Sequence, residues 1–213
     1  MRLQNNCNPK LTSGNQAGIS MLEVLITLFI LSVGLLGVAS MQFIGSFSNK
    51  EALVRTQAVL VAQQMTERLR ASVVPSVVTD GFVADNAYFN PINYNFNNLS
   101  CGSDQSDFDC FCNEIPAAIP NCLDGECSAA QFAVFDAYKM SCAAEVASPE
   151  AELSVACTDK EPADADTCTA GSIHKIMVKW PAPSWQGLDR TANGNCNAAG
   201  SQEFDCVVIE VTL

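Results

Sequence analysis

A single carboxylate near the start of a long apolar run is the feature that most constrains this chain. Residues 19–44 are long enough to cross a bilayer, which takes about 20 apolar residues, and Glu23 is the only charged residue between residues 18 and 49. A charge within a membrane helix costs about 2.5–3.5 kcal/mol on insertion scales. Intramembrane charges are usually kept because they have a specific partner. Glu23 therefore predicts an interaction inside a membrane or a stack of helices.

The charge of the chain is unevenly distributed. The net charge is −12, yet the first 18 residues hold Arg2, Lys10 and no acidic residue. Basic residues before an apolar run place the N-terminus on the cytoplasmic side of a membrane. The acidic remainder argues against nucleic acid as a partner, because nucleic-acid binding needs a basic face. It also argues against binding to anionic lipid headgroups.

The cysteines divide into one before the apolar run and ten after it. An even number beyond the run favours disulfides in an oxidising compartment, with Cys7 as a reduced thiol on the other side. The spacing leaves the connectivity open. A zinc site is less favoured, because the groups Cys110-Phe111-Cys112 and Cys122…Cys127 lack paired C-x-x-C spacing and the single histidine, His174, is far from them in sequence. The candidate disulfide cysteines are Cys101, Cys110, Cys112, Cys122, Cys127, Cys142, Cys157, Cys168, Cys196 and Cys206.

Beyond the apolar run the pattern becomes amphipathic. Apolar residues recur every three or four positions, which is the spacing of one helix face, at Val54, Ala58, Val61, Met65 and Leu69. The pattern predicts one continuous helix over residues 19–74, which Pro75 ends. One end of this helix requires a membrane or a filament core, and the other requires a globular domain.

The C-terminal half predicts a small α+β domain. Residues 76–127 are rich in asparagine, proline and aspartate without clear periodicity, which indicates a surface connection pinned by disulfides. Its aspartates lack the spacing of a calcium loop, so a solvated acidic loop is the favoured interpretation. Ser128 and Gln131 fit a capping box and predict a helix to about residue 144. Alternating apolar residues then predict an antiparallel sheet covered by the long helix, at Leu153, Val155, Cys157, Ile176, Val178, Trp180, Val207, Ile209, Val211 and Leu213.

The N-terminal segment allows three interpretations. One is a secretory signal removed after Ala39, which would release a disulfide-rich binding module. Another is a plain transmembrane anchor, which leaves Glu23 unexplained. The third accounts for every residue, because Gly18, Ile19 and Glu23 closely resemble the leader of type IV prepilins: a basic leader, a glycine, an apolar residue and a glutamate at the fifth mature position.

This resemblance implies processing and assembly. A prepilin peptidase would cut between Gly18 and Ile19 on the cytoplasmic side, methylate the new amino terminus at Ile19 and leave the helix on the mature protein. Glu23 would serve subunit assembly, by neutralising the ammonium group of its own or a neighbouring chain. Residues 31–42 also resemble PilV-type minor pilins, the family of type IV pilus modification proteins. The long helix lacks a proline that many major pilins carry, which favours a minor pilin.

The resemblance also implies the architecture: an α+β, type IV pilin-like fold with a long N-terminal helix packed on a small antiparallel sheet. The expected segments are a leader at 1–18, a transmembrane or filament-core half-helix at 19–44, an amphipathic half-helix at 45–75, an irregular disulfide-rich connection at 76–127, and a short helix with antiparallel strands at 128–213.

The expected function is that of a minor pilin in type IV pilus assembly or modification, supporting motility or adhesion. Its partners would be other pilins, the prepilin peptidase, the inner-membrane assembly platform and the lipid bilayer. It would sit in the inner membrane with a periplasmic C-terminal domain before entering a pilus. No enzymatic role, cofactor or metal is expected, because the sequence carries no nucleophile motif, P-loop or dinucleotide fingerprint. A minor pseudopilin of a type II secretion system shares the leader and remains the close alternative.

Overall fold

The computed structural model describes residues 18, 20–102, 105–163, 167–182, 193–197 and 203–213. The chain divides into two compact units, residues 1–49 and residues 50–213.

The long helix, α1, extends over Met21–Ala71. Its predicted end at Val74 is wrong, because the helix closes at Ser72, whose N–H donates to the Arg68 and Leu69 carbonyls at 3.1 and 3.3 Å. A proline disfavours helical geometry in the residue before it, and here that residue is Val74. Strand β1, Val74–Pro75, instead pairs antiparallel with strand β2, Phe82–Val83.

The amphipathic half of α1 buries the predicted stripe. Ala62, Met65 and Leu69 are fully buried, and Ala58 and Val61 nearly so. They share one hydrophobic core with buried residues of the second helix and of the larger sheet. The 3.6-residue period therefore predicted correctly which face of this half of the helix is buried.

The second helix, α2, extends over Ala129–Ala147 and has the predicted capping box. Ser128 Oγ accepts from the Gln131 N–H at 3.3 Å, and Gln131 Oε1 accepts from the Ser128 N–H at 2.9 Å. The two bonds satisfy N–H groups that a helix start would otherwise leave without partners.

Three antiparallel strands form the larger sheet in the order β3–β4–β5: Glu152–Thr158, Ile173–Pro181 and Phe204–Thr212. Leu153, Ile176 and Val178 are fully buried on the inner face, as the alternation predicted. In β5, Cys206 alternates with the core-facing residues and therefore lies on the other face of the sheet. It is nevertheless buried, and it is bonded to Cys196.

The connection over residues 76–127 is irregular, but the expectation that it lies wholly on the surface is wrong. It contains short helical turns at Asn86–Phe89, Pro91–Asn93 and Phe108–Cys112. Tyr88 and Tyr94 are almost completely buried. A second cluster joins its aromatic residues to α2, comprising Phe96, Phe111, Ile119, Phe135 and Tyr138. The connection thus contributes buried residues to the hydrophobic core as well as exposed residues to the surface.

Five disulfides join the ten cysteines that follow α1: Cys101–Cys110, Cys112–Cys142, Cys122–Cys127, Cys157–Cys168 and Cys196–Cys206. Cys112–Cys142 ties the connection to α2, and the other four close short loops. Together with the long helix and the small sheet, they confirm the predicted α+β, pilin-like fold.

Candidate assembly site in the N-terminal helix

Glu23 lies in the first turn of α1. Its N–H donates to the Ser20 carbonyl at 2.9 Å, and the Val24 N–H donates to the same carbonyl at 3.3 Å. A carboxylate at this position faces the positive end of the helix dipole. The site is therefore favourable for Glu23 before any second chain is present. Gly18 is exposed, and Ile19 lies outside the described residues, so the assigned cleavage and methylation at these positions stay predictions.

The apolar half of α1 presents side chains in every direction. Each residue from 21 to 46 is exposed, and the helix contains an 18-residue window of mean hydropathy 2.4 with none of it buried. By length and composition, α1 is the one helix in the described part of the chain that could cross a membrane. Its surface suits a bilayer or the apolar faces of like helices.

Two hydroxyl side chains within this apolar half are satisfied locally. Thr27 Oγ1 donates to the Val24 carbonyl at 2.9 Å, and Ser32 Oγ donates to the Phe29 carbonyl at 2.7 Å. Such bonds to a preceding turn hide the hydroxyl from an apolar environment. Glu23 is left as the one side chain in residues 20–46 that brings a formal charge into this surface.

Two glycines leave the apolar surface open. A Cβ atom built on Gly34 or Gly37 would meet nothing within 4 Å outside the helix's own backbone. Small residues let the backbone of a neighbouring helix approach closely. Their spacing gives one turn of α1 a low profile, which a packed helix can use.

A buried polar group in the second unit escaped the sequence reasoning. Asp136 of α2 is 6% exposed and accepts from the Arg68 guanidinium of α1. It also accepts from the Tyr88 hydroxyl at 2.7 Å, and the Tyr94 hydroxyl donates to the Tyr88 carbonyl at 2.7 Å. Burial, with a smaller contribution from Asp136, raises the pKa of Tyr88 well above its usual range. The sequence feature that could have predicted this buried acid is the run Phe135-Asp136-Ala137, in which one acidic residue stands between apolar residues of α2.

A second missed group lies at one end of the larger sheet. Cys157, Cys168 and His174 have their sulfur and nitrogen atoms within 4.8 Å of one another, the kind of grouping that can hold a metal. The two sulfurs are joined as a disulfide, so they do not offer the thiolates that zinc binds. His174 is 1% exposed and lies inside β4.

Comparison with known families bears on the N-terminal segment. Residues 13–39 match the prokaryotic N-terminal methylation motif. This match indicates a type IV prepilin-like protein. The matched segment contains Gly18, Ile19 and Glu23, the three residues on which the resemblance was based, together with Gly34 and Gly37. No curated protein and no solved structure matches the chain.

The motif carries several consequences for this prepilin-like chain. It implies processing by a prepilin peptidase and assembly with other pilins. With the apolar helix, it indicates membrane anchoring. The proteins that share the motif are structural subunits rather than enzymes.

Proposed function

We propose that the chain is a minor pilin of the PilV type, which enters or primes a type IV pilus after cleavage between Gly18 and Ile19. The observation that carries the proposal is a leader glycine followed, five residues later, by the only charge in an otherwise apolar helical surface. The absence of proline between Pro9 and Pro75 supports the minor class.

The proposed chemistry pairs a charge that exists from synthesis with one made by cleavage. Cutting after Gly18 creates an α-ammonium group at Ile19, about one helical turn from Glu23. The carboxylate then neutralises this group on its own chain or on a neighbour. In an apolar environment attraction is strong, but so is the cost of removing both charges from water. We therefore assign the pair to setting the register between subunits rather than to adding stability.

The location follows from the same polarity. We propose a leader at 1–18, a filament-core or membrane half at 19–44, an amphipathic half that ends with α1 at Ala71, and a periplasmic location for the rest of the chain. The basic residues Arg2 and Lys10 favour a cytoplasmic N-terminus. The five disulfides support a periplasmic location for the C-terminal part, because disulfides form and persist in the oxidising periplasm.

The mass of the mature N-terminal peptide tests the proposal. The chain is expressed with a prepilin peptidase, purified from membranes and digested. We expect a peptide beginning at N-methylated Ile19, and no such peptide from a Gly18→Val variant, which blocks the cut. A mature chain beginning at Ser40 would establish the secreted module instead.

A deletion test then separates the pilus role from the pseudopilin alternative. Removing the gene from its host should reduce surface pili while protein secretion continues. Loss of secretion with normal pili would assign the chain to a type II secretion system. Complementation with the wild-type chain controls for effects on neighbouring genes.

A further inference from the structure

The Cys157–Cys168 disulfide differs from the other four because it has an imidazole beside it. His174 Nε2 lies 3.2 Å from Cys168 Sγ, and His174 is the only histidine in the chain. The contact follows from the fold: Cys157 and His174 are directly opposed in the β3–β4 register, so both side chains leave the sheet on one face.

The two cysteines of this disulfide are unequally exposed. Cys168 is 2% exposed, whereas Cys157 is only partly buried. An attacking thiol therefore reaches Cys157 more readily than Cys168. An attack on Cys157 Sγ would make Cys168 Sγ, the sulfur beside the imidazole, the leaving group.

Burial favours the neutral form of the His174 ring. Burial lowers the pKa of His174, although the backbone of Val211 and of Ser172 opposes the shift. A neutral imidazole has one N–H, and among the described residues no group meets hydrogen-bond geometry at Nδ1. The tautomer with its proton on Nε2 is the one that can donate to Cys168 Sγ, which lies 3.2 Å away.

The loop that carries Cys168 is held in place. Asp159 Oδ1 accepts from the Thr169 N–H at 3.0 Å and from the Ser172 hydroxyl at 3.1 Å. Ser172 Oγ accepts in turn from the Lys160 N–H at 2.9 Å. These bonds join the two ends of the loop independently of the disulfide, so the contact between Cys168 and His174 can persist while the disulfide is open.

We propose that Cys157–Cys168 is a site of thiol–disulfide exchange with low-molecular-weight thiols, in which His174 stabilises the departing Cys168 thiolate. An external thiolate attacks Cys157 Sγ, a mixed disulfide forms there, and the Cys157–Cys168 bond breaks. Its electron pair leaves on Cys168 Sγ, which accepts the His174 Nε2–H hydrogen bond and later takes a proton from water. A second thiolate attacks the external sulfur, releases Cys157 and forms the external disulfide, so two thiols are oxidised as one protein disulfide is reduced. The reverse path closes the disulfide during oxidative folding.

The position of the first mixed disulfide tests the direction of attack without any substitution. The full chain in detergent is treated with reduced glutathione, quenched in acid at early times, alkylated and mapped by tandem mass spectrometry. We expect glutathione on Cys157 and the alkyl group on Cys168. Glutathione on Cys168, or equally on both, would overturn the proposal.

A pair of variants tests His174. His174→Phe keeps a ring but removes the donor, and His174→Gln keeps an N–H donor. Cys196–Cys206 is the internal reference, because it closes a loop of similar separation, 10 residues against 11, without a histidine. We expect the Phe variant to slow opening of Cys157–Cys168 relative to the reference by about fivefold, the effect of one ordinary hydrogen bond, and Gln to restore part of the rate.

An unchanged ratio in the Phe variant would contradict the role of His174. Fluorescence of the buried Trp180 reports whether each variant is folded. If the Phe variant is unfolded, the Gln variant and the wild-type mapping decide. A Gln variant that keeps part or all of the wild-type ratio, together with glutathione on Cys157, supports the proposal, and any other combination opposes it.

Discussion

The two halves of α1 are both rich in apolar residues, yet only one of them is buried within its own unit. Residues 21–46 are exposed throughout, whereas the stripe from Ala58 to Leu69 lies in the core. The exposed half is apolar on all sides, and the buried half is apolar on one face only. Periodicity, rather than hydrophobicity alone, therefore distinguishes a segment that packs inside its own domain from one that needs a bilayer or another chain. This difference predicts that substitutions in the two halves of α1 have unequal effects on the free energy of unfolding.

The largest effect is expected from Met65→Ala in the buried half. Met65 is fully buried, and truncating such a side chain leaves a cavity that costs about 2–5 kcal/mol. Denaturant unfolding followed by tryptophan fluorescence measures the loss. The matched control is Leu36→Ala in the exposed half, where the side chain is 70% exposed and no change is expected. Equal losses in the two variants would remove the distinction between the halves.

A smaller loss is expected from Asp136→Ala, which removes the acceptor that joins the buried half of α1 to α2. The Tyr88 hydroxyl would be left buried without its acceptor, at a cost of about 1–3 kcal/mol. Arg68 adds less, because its side chain is 40% exposed and solvent screens the pair.

Asp136→Asn is the control for this effect, measured by the same unfolding experiment. It keeps an oxygen that can accept from Tyr88 while removing the charge, so its loss should be smaller than that of the alanine variant. A larger loss in the asparagine variant would show that the charge, and not the hydrogen bond to Tyr88, dominates.

Removing the cap of α2 should cost still less. Ser128→Ala deletes the side chain that accepts from the Gln131 N–H, an effect of about 1 kcal/mol. Ser128→Thr keeps a hydroxyl and should retain most of the stability. The midpoint of the same denaturation curve checks both variants, and an alanine variant as stable as wild type would deny the cap an energetic role.

Glu23→Gln should change unfolding least, by less than about 0.5 kcal/mol, as surface substitutions usually do. It should nevertheless reduce co-purification with other pilins after crosslinking in membranes, because the neutral amide cannot offset the new ammonium group. Glu67→Gln is the control, since Glu67 is a 72% exposed acid in the other half of α1. Normal co-assembly of the Glu23 variant would contradict its proposed role.

Several elements were predictable because their signals are local. The stripe of α1, the Ser128–Gln131 box and the alternating strands each follow from residues within a few positions of one another. The prediction failed where local rules competed: α1 was extended to Val74, but the hairpin of β1 and β2 takes up that segment. The burial of Tyr88 and Tyr94 was missed because the asparagine-rich composition around them is also typical of exposed turns.

The candidate assembly site was also readable locally, since Gly18 and Glu23 lie within one short segment and match a motif by spacing alone. The contact of His174 with Cys168 was not readable in that way. The parity of Cys157 and His174 in their strands predicts that both lie on one face, but only the strand register brings them opposite each other.

The sequence by itself determined the long helix, the membrane-competent character of its first half, the buried face of its second half and the prepilin-like motif, because each depends on spacing along the chain. The tertiary structure decided which cysteines are joined, how Asp136 is satisfied by Arg68 and Tyr88, and which disulfide meets His174. Those outcomes depend on which distant residues come together when α1, α2 and the sheet close on one core, and no local pattern encodes that choice.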